Sequence, residues 1–275
     1  MRRADSGSVL FIGNATTLIR YNGYTLLTDP NFLHRGQRAH LGYGLTSRRL
    51  TDPAVELEDL PPLDAVILSH LHGDHWDRVA RDGLDKATTI VTTRHAARRL
   101  RRQGFERAVG LKTWQEHQLR NATGALTITS VPARHAHGAV EALLPPVMGS
   151  VLEFRSEGRI DLRLHISGDT LLDHRLHQIP KRFPDLDVGI VHLGGTKLLG
   201  TVMVTMDGRQ GADWVDLIGP GRVLPVHYDD YTVFSSSLED FRSHMEHSGH
   251  GDRVVYLDRG DTWTLPVRPT ARTRS

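Results

Sequence analysis

The chain has 275 residues, 39% of them hydrophobic and 24% charged, a balance that excludes a disordered or fibrous protein and leaves enough chain for a sizeable core. It contains no cysteine, which excludes disulfides, thiol nucleophiles and cysteine-held zinc, so any metal must rest on imidazole and carboxylate. The formal net charge is +2, and the basic residues are dispersed along the chain, which argues against a nucleic-acid partner.

Met1-Arg2-Arg3 is followed by polar Ala4-Asp5-Ser6-Gly7-Ser8 where a signal peptide needs an apolar run, and no stretch approaches 18 apolar residues. A cytoplasmic protein without a membrane span is expected. Short aliphatic runs then read as strands: Val9 to Ile12, Thr16 to Arg20 and Thr25 to Thr28, with Asn22-Gly23 as a tight hairpin turn. The series continues at Val66 to Ser69, Thr89 to Thr92, Leu126 to Val131, Val151 to Arg155, Leu162 to Ile166, Val188 to Val191, Val223 to Val226 and Val254 to Leu257. Helices are expected at Ala96 to Gln103, Gln210 to Ile218 and Leu238 to His247. No linker divides the chain, so residues 1–265 read as one domain and 266–275 as a frayed tail.

The reactive residues follow the strands. Asp29 follows the third run, and His70-Leu71-His72-Gly73-Asp74-His75 follows the fourth, placing three imidazoles and a carboxylate within six residues. His135, Asp169, His192 and His227 occupy the same position after later strands. Groups at the carboxyl ends of successive strands gather at one edge of a layered sheet. Taken singly, His135 or His227 reads as an ordinary hydrogen-bonded histidine, and Asp29 or Asp169 as a turn former. Together they exceed what one tetrahedral ion can use, so a second ion is implied unless the surplus is idle.

Thr28-Asp29-Pro30, the run His70 to His75, Pro132-Ala133-Arg134-His135, Ser167-Gly168-Asp169-Thr170 and Pro225-Val226-His227-Tyr228 together resemble the metallo-β-lactamase superfamily over nearly the whole chain. Within it, Thr-Asp-Pro and Pro-Ala-Arg-His are most similar to the branch of ascorbate-6-phosphate lactonases and the phospholipase D acting on N-acyl phosphatidylethanolamines. The resemblance implies an α/β fold, a four-layer αββα sandwich. It implies that His70, His72 and His135 bind one metal, Asp74, His75 and His227 a second, and that Asp169 bridges them. Asp29 is implied to orient a ligand imidazole through its free ring N–H. Zinc is the expected metal, with Mn²⁺ or Fe²⁺ as alternatives. The sequence departs from the pattern at Asn14, where the branch often has histidine, and at His192, where an apolar or small residue is usual.

These assignments imply a metal-dependent hydrolase in which two divalent ions activate hydroxide for attack on an ester, lactone, amide or phosphodiester of a small molecule, with Asp74 orienting the nucleophile or handling its proton. His192, Lys197, Tyr228 and Tyr231 are candidate substrate contacts, and His34, Arg35, Arg38, His137 and Asp229 are placed in the same pocket, whose cations suit a phosphorylated or carboxylated substrate. Val140 to Met148 reads as an apolar flap or a packed loop. A nucleic-acid-processing hydrolase of the same fold and a non-catalytic, metal-stabilised binding protein are the competing readings, and a homo-oligomer stays open.

Overall fold

The computed structural model describes residues 7–266 and 268, apart from 43, 137, 139–140, 142–143 and 199–200. The chain opens as a meander of β1 (Ser8–Gly13), β2 (Thr16–Tyr21) and β3 (Tyr24–Thr28), followed by a small hairpin of β4 (Arg38–Gly42) and β5 (Leu45–Arg48). Then come β6 (Ala65–Ile67), α1 (Arg78–Gly83), β7 (Ile90–Thr93), α2 (Arg94–Arg102) and β8 (Ala108–Leu111). The second half runs through β9 (Glu116–Asn121), β10 (Gly124–Val131), β11 (Gly149–Ser156), β12 (Arg159–Ile166), α3 (Gln178–Arg182) and β13 (Val188–His192). It ends with β14 (Lys197–Leu198), β15 (Val202–Met203), α4 (Gly208–Ile218), β16 (Arg222–Val226), α5 (Leu238–His247) and β17 (Thr262–Thr264).

Two sheets dominate, one in the order β17-β1-β2-β3-β6-β7-β8 and one in the order β16-β13-β12-β11-β10-β9. Their inner faces share a core in which Val9, Ile19, Leu26 and Ile67 meet Ile128, Leu152, Leu164 and Ile190. The outer face of the first sheet offers Leu18, Leu27, Val66 and Ile90 to Ala80 of α1 and to Ala97 and Leu100 of α2. The second offers Val151, Val191 and Val223 to Ile179 of α3, Trp214 and Val215 of α4, and Phe241 and Met245 of α5. The result is the expected α–β–β–α layering. Because both faces of the central strands are buried, they read as nearly continuous apolar runs. Each fully buried leucine, Leu100 among them, contributes about 1.5–3 kcal/mol of transfer free energy.

Local signals set the element ends. Asn22 and Gly23 both have positive φ, 50° and 72°, as a two-residue turn between right-twisted strands requires. Thr93, Asp207 and Ser237 cap α2, α4 and α5 by accepting the backbone N–H of Ala96, Gln210 and Asp240. The expected strand at Val254 to Leu257 does not form: Val254 makes a single bridge to Val223, and no partner strand continues it. The β9 strand was not legible because its Glu-His-Gln-Leu-Arg-Asn sequence has little apolar character, and its pairing with β10 holds it at the sheet edge. At the expected frayed tail, Arg268 is held by Asp187, with Nε 2.8 Å from Oδ2.

Strand direction positions the site. In the first sheet β3, β6, β7 and β8 run parallel, and in the second β12, β13 and β16 do. Two antiparallel steps, β10 to β11 and β11 to β12, turn β10 the same way as β12. Asp29, His70, His135, Asp169, His192 and His227 therefore lie at or beyond carboxyl ends that meet at one edge of the sandwich.

Candidate metal centre

Three imidazoles converge there. His70 Nε2 lies 2.9 Å and His135 Nε2 3.0 Å from His72 Nδ1. Each outer ring is aimed by its other nitrogen: His135 Nδ1 donates to the Val204 carbonyl at 2.7 Å, and His70 Nδ1 lies 2.9 Å from Ser69 Oγ. Beside them, Asp74 Oδ2 is 3.4 Å from His227 Nε2 and 3.9 Å from His75 Nε2. Asp169 Oδ2 stands between the groups, 3.2 Å from His75 Nε2 and 3.8 Å from His70 Nε2. All seven expected ligand residues are thus brought together in buried sets that could hold metal ions.

The electrostatics fit cations. Burial, then the neighbouring His75, holds His70 well below its ordinary range, while burial and then His135 push His72 down to about 3. Burial also lowers His135. These three rings are neutral and carry lone pairs for a metal. His75 is opposite in sense: burial opposes its charge, but Asp169, Asp74 and Asp29 outweigh it and raise the ring well above its usual value. Among the described residues, Asp29, Asp74 and Asp169 form ion pairs with histidines alone, and no lysine or arginine joins them. Buried carboxylates at such density require positive charge. Asp74 Oδ1 and Asp169 Oδ1 are buried with no hydrogen-bond partner, which leaves coordination capacity to spare.

A supporting layer surrounds the cluster. Asp29 accepts from Ser69 N at 2.7 Å, Ser69 Oγ at 2.9 Å, His75 Nδ1 at 3.1 Å and His192 Nε2 at 3.3 Å. Burial works against its charge, yet His75 and the hydrogen bonds from His192 and His75 hold the carboxyl down at about 2. Asn14 donates from Nδ2 to the Asp74 carbonyl at 2.6 Å and accepts the His227 N–H at 2.9 Å. It thereby joins two residues of the cluster that are 153 positions apart. Asn14, Asp29 and His227 all have positive φ, at 52°, 33° and 66°, which places backbone strain at the site.

A cavity of about 130 Å³ opens over His72, Asp74, His135 and Asp169, with Lys197 at its rim. A larger hollow of about 550 Å³, lined by Arg120 and Glu157 along β9 and β10, lies away from the cluster. Of the expected substrate contacts, only Lys197 lines the cavity. His192 is fully buried on Asp29, Tyr231 donates its hydroxyl to Asn31 Oδ1 at 2.8 Å, and Tyr228 packs into the core behind the second sheet. His34 pairs with Asp52 and Glu56, the Arg35 backbone N–H binds Asp52, Arg38 faces the far side of the β4–β5 hairpin, and Asp229 pairs with Arg259. The expected pocket position of His137 lies outside the described residues, as does most of the expected flap, though Leu144 from that segment lines the cavity. Sequence reasoning missed Ser69 and Ser167 as partners of the site and the walls supplied by Leu41 and Leu45.

A family model described as the Beta-lactamase superfamily domain matches residues 24–228, which spans Asp29 through His227. The chain belongs to the metallo-β-lactamase superfamily of metal-dependent hydrolases. Superfamily relatives include a UPF0173 metal-dependent hydrolase of Deinococcus radiodurans, 27% identical over 255 residues, covering 92% of this chain and 97% of the relative. UPF0173 protein YddR of Bacillus subtilis is 27% identical over 263 residues, covering 92% and 98%. Among solved members of the fold, an isothiocyanate hydrolase from Delia radicum gut bacteria superposes with a TM-score of 0.79 at 22% identity, over 94% of this chain and 99% of that one. The superposition shows that the metallo-β-lactamase fold extends over nearly the full chain.

Proposed function

We propose that the chain is a dinuclear metallohydrolase acting on an ester, lactone or phosphodiester of a small molecule. His70, His72 and His135 would hold one divalent ion and Asp74, His75 and His227 the other, with Asp169 placed to serve both. The observation that carries this reading is Asp169 Oδ2 between His75 and His70, with a complete donor set on either side. Two ions, zinc by the donor chemistry, would supply a water acidic enough to attack near neutral pH and a positive charge for the developing oxyanion.

The chain's own groups do the rest. Asp74 lines the cavity with an unpartnered Oδ1, placed to orient the attacking water and take its proton. Asp29 keeps His75 in the tautomer whose Nε2 faces the cluster, and the Val204 carbonyl does the same for His135. Lys197 at the rim offers a cation to a substrate oxygen. Thr28-Asp29-Pro30 and Pro132 to His135 support a place near the branch of ascorbate-6-phosphate lactonases and the phospholipase D acting on N-acyl phosphatidylethanolamines. No helix among the described residues is long and apolar enough to cross a membrane, and we place the protein in the cytoplasm.

The test is turnover of esters, lactones and phosphodiesters before and after chelation. Turnover that chelator removes and zinc or manganese restores, and that Asp74→Ala lacks while keeping its circular dichroism, is expected. Activity that survives both chelation and Asp74→Ala would sink the assignment.

A further inference from the structure

The walls of the cavity differ in chemistry from its floor. Above the His and Asp floor stand Leu41 and Leu45 from the β4–β5 hairpin, Leu144, Val204 and Val233, five aliphatic side chains from four separate segments. Lys197 is the one cation lining the cavity among the described residues. The nearby Arg134 is committed to Asp173 at 2.9 Å and Glu141 at 2.7 Å. Arg38 lines a different hollow behind the hairpin, together with Arg78, Arg81 and Arg99.

Three physical consequences follow from that wall. A polyhydroxylated substrate would be disfavoured, since buried polar groups need hydrogen bonds and most of its hydroxyls would sit against aliphatic carbon, with Thr46 and Thr196 the only hydroxyl-bearing residues in the lining among the described residues. Beyond whatever ions the His and Asp floor holds, a phosphate would find Lys197 alone among the lining side chains as a cationic donor, where phosphate recognition ordinarily uses several. The volume of about 130 Å³ falls below the roughly 300–1,000 Å³ of pockets that take drug-sized ligands.

Resting on the hydrolase reading above, we propose that the substrate is a compact aliphatic carboxylic ester or lactone. Its hydrocarbon part packs against Leu41, Leu45, Val204 and Val233, and an oxygen of its ester or lactone group faces Lys197. Water adds through oxygen to the acyl carbon, the acyl C–O bond breaks, and the proton given up by water passes to the departing alkoxide. An ester gives one carboxylic acid and one alcohol, and a lactone gives a single hydroxy acid.

Zinc-loaded protein, assayed with γ-hexanolactone and ethyl butyrate against bis(4-nitrophenyl) phosphate and 4-nitrophenyl phosphate, separates the outcomes. The proposal expects kcat/KM at least tenfold higher on the aliphatic acyl substrates. It expects hexanoate to bind at least tenfold more tightly than acetate by calorimetry, a gap that Leu45→Asp closes. Lys197→Met, at an exposed position that leaves folding intact, is expected to raise KM several-fold more than it lowers kcat. A preference for the phosphodiester, or equal binding of hexanoate and acetate, overturns the substrate class while the hydrolase reading stands. No turnover of any of the four by fully loaded protein overturns both.

Discussion

Nε2 of His192 lies 3.3 Å from Asp29 Oδ2, the same oxygen that receives His75 Nδ1 at 3.1 Å. One buried carboxylate is thus shared between a residue of the metal cluster and a histidine outside it. The His192 backbone N–H donates to Ser167 Oγ at 2.9 Å, and its Nδ1 lies 3.2 Å from the same hydroxyl, so the ring is held at both ends. In the proposed centre it would position Asp29, and through Asp29 the imidazole of His75.

His192→Leu leaves Asp29 with one donor fewer and is expected to weaken zinc binding at the His75 position about ten- to a hundred-fold, the usual cost of losing an outer hydrogen bond at a metal site. His192→Gln, which can still donate, is expected to recover most of the loss. Competition with a chromophoric chelator measures both. Unchanged affinity in His192→Leu would show that Asp29 needs no second histidine.

Asn14→Ala is expected to loosen the cluster from the backbone side. The substitution removes the bond to the Asp74 carbonyl and puts alanine, which tolerates the left-handed region less well than asparagine, at a φ of 52°, together costing roughly 1–3 kcal/mol. Asn14→Gly relieves the strain without restoring the bond, so it is expected to fall between wild type and Asn14→Ala in urea unfolding. Equal stability of all three would remove Asn14 from the account.

Gly73→Ala tests the link between the metal loop and the cavity wall. A β-carbon there would stand 2.7 Å from the His40 backbone nitrogen and 2.8 Å from its oxygen, so the β4–β5 hairpin must shift. Leu41 and Leu45 move with the hairpin, and kcat/KM is expected to drop at least tenfold with the far-ultraviolet spectrum retained. Kinetics like the wild type would mean that the hairpin does not set the substrate pocket.

The pH dependence of stability has a source apart from the metal cluster. His165 is buried, stacks on Trp214 with ring centroids 5.2 Å apart, and has no hydrogen-bond partner for either ring nitrogen among the described residues. Burial, then the charge of His192, pushes it down to about 3 from 6.5. Between those values the unfolded chain binds a proton that the folded chain does not, so the His165 contribution is lost as pH falls from 6.5 towards 3. His165→Phe is expected to gain roughly 2–3 kcal/mol relative to wild type between pH 7 and pH 4.5 in urea unfolding. A stability difference that stays constant over that range would contradict the assignment.

The site was more legible in the sequence than the pocket, for a physical reason. Candidate metal ligands are drawn from few residue types and follow strand ends, so His70 to His75 stood out as a run, and His135, Asp169 and His227 became legible only as a set with it. Pocket walls are ordinary leucines and valines whose exposure depends on tertiary packing, and nothing local marked Leu41 or Val204. Polar residues misled in the opposite direction. Tyr231 and Asp229 follow a cluster residue closely in sequence, yet both side chains are consumed by structural partners. The buried strands were legible from their apolar runs, whereas the β4–β5 hairpin and the β9 strand depend on pairing partners that no local pattern announces.

The most direct test of the central claim is the number of metal equivalents that the purified protein retains after loading with zinc and exhaustive dialysis, read by inductively coupled plasma mass spectrometry. The account predicts about two per chain for wild type and about one for His227→Ala, with the His70, His72 and His135 set still filled. Wild-type protein that retains one equivalent or none would contradict it.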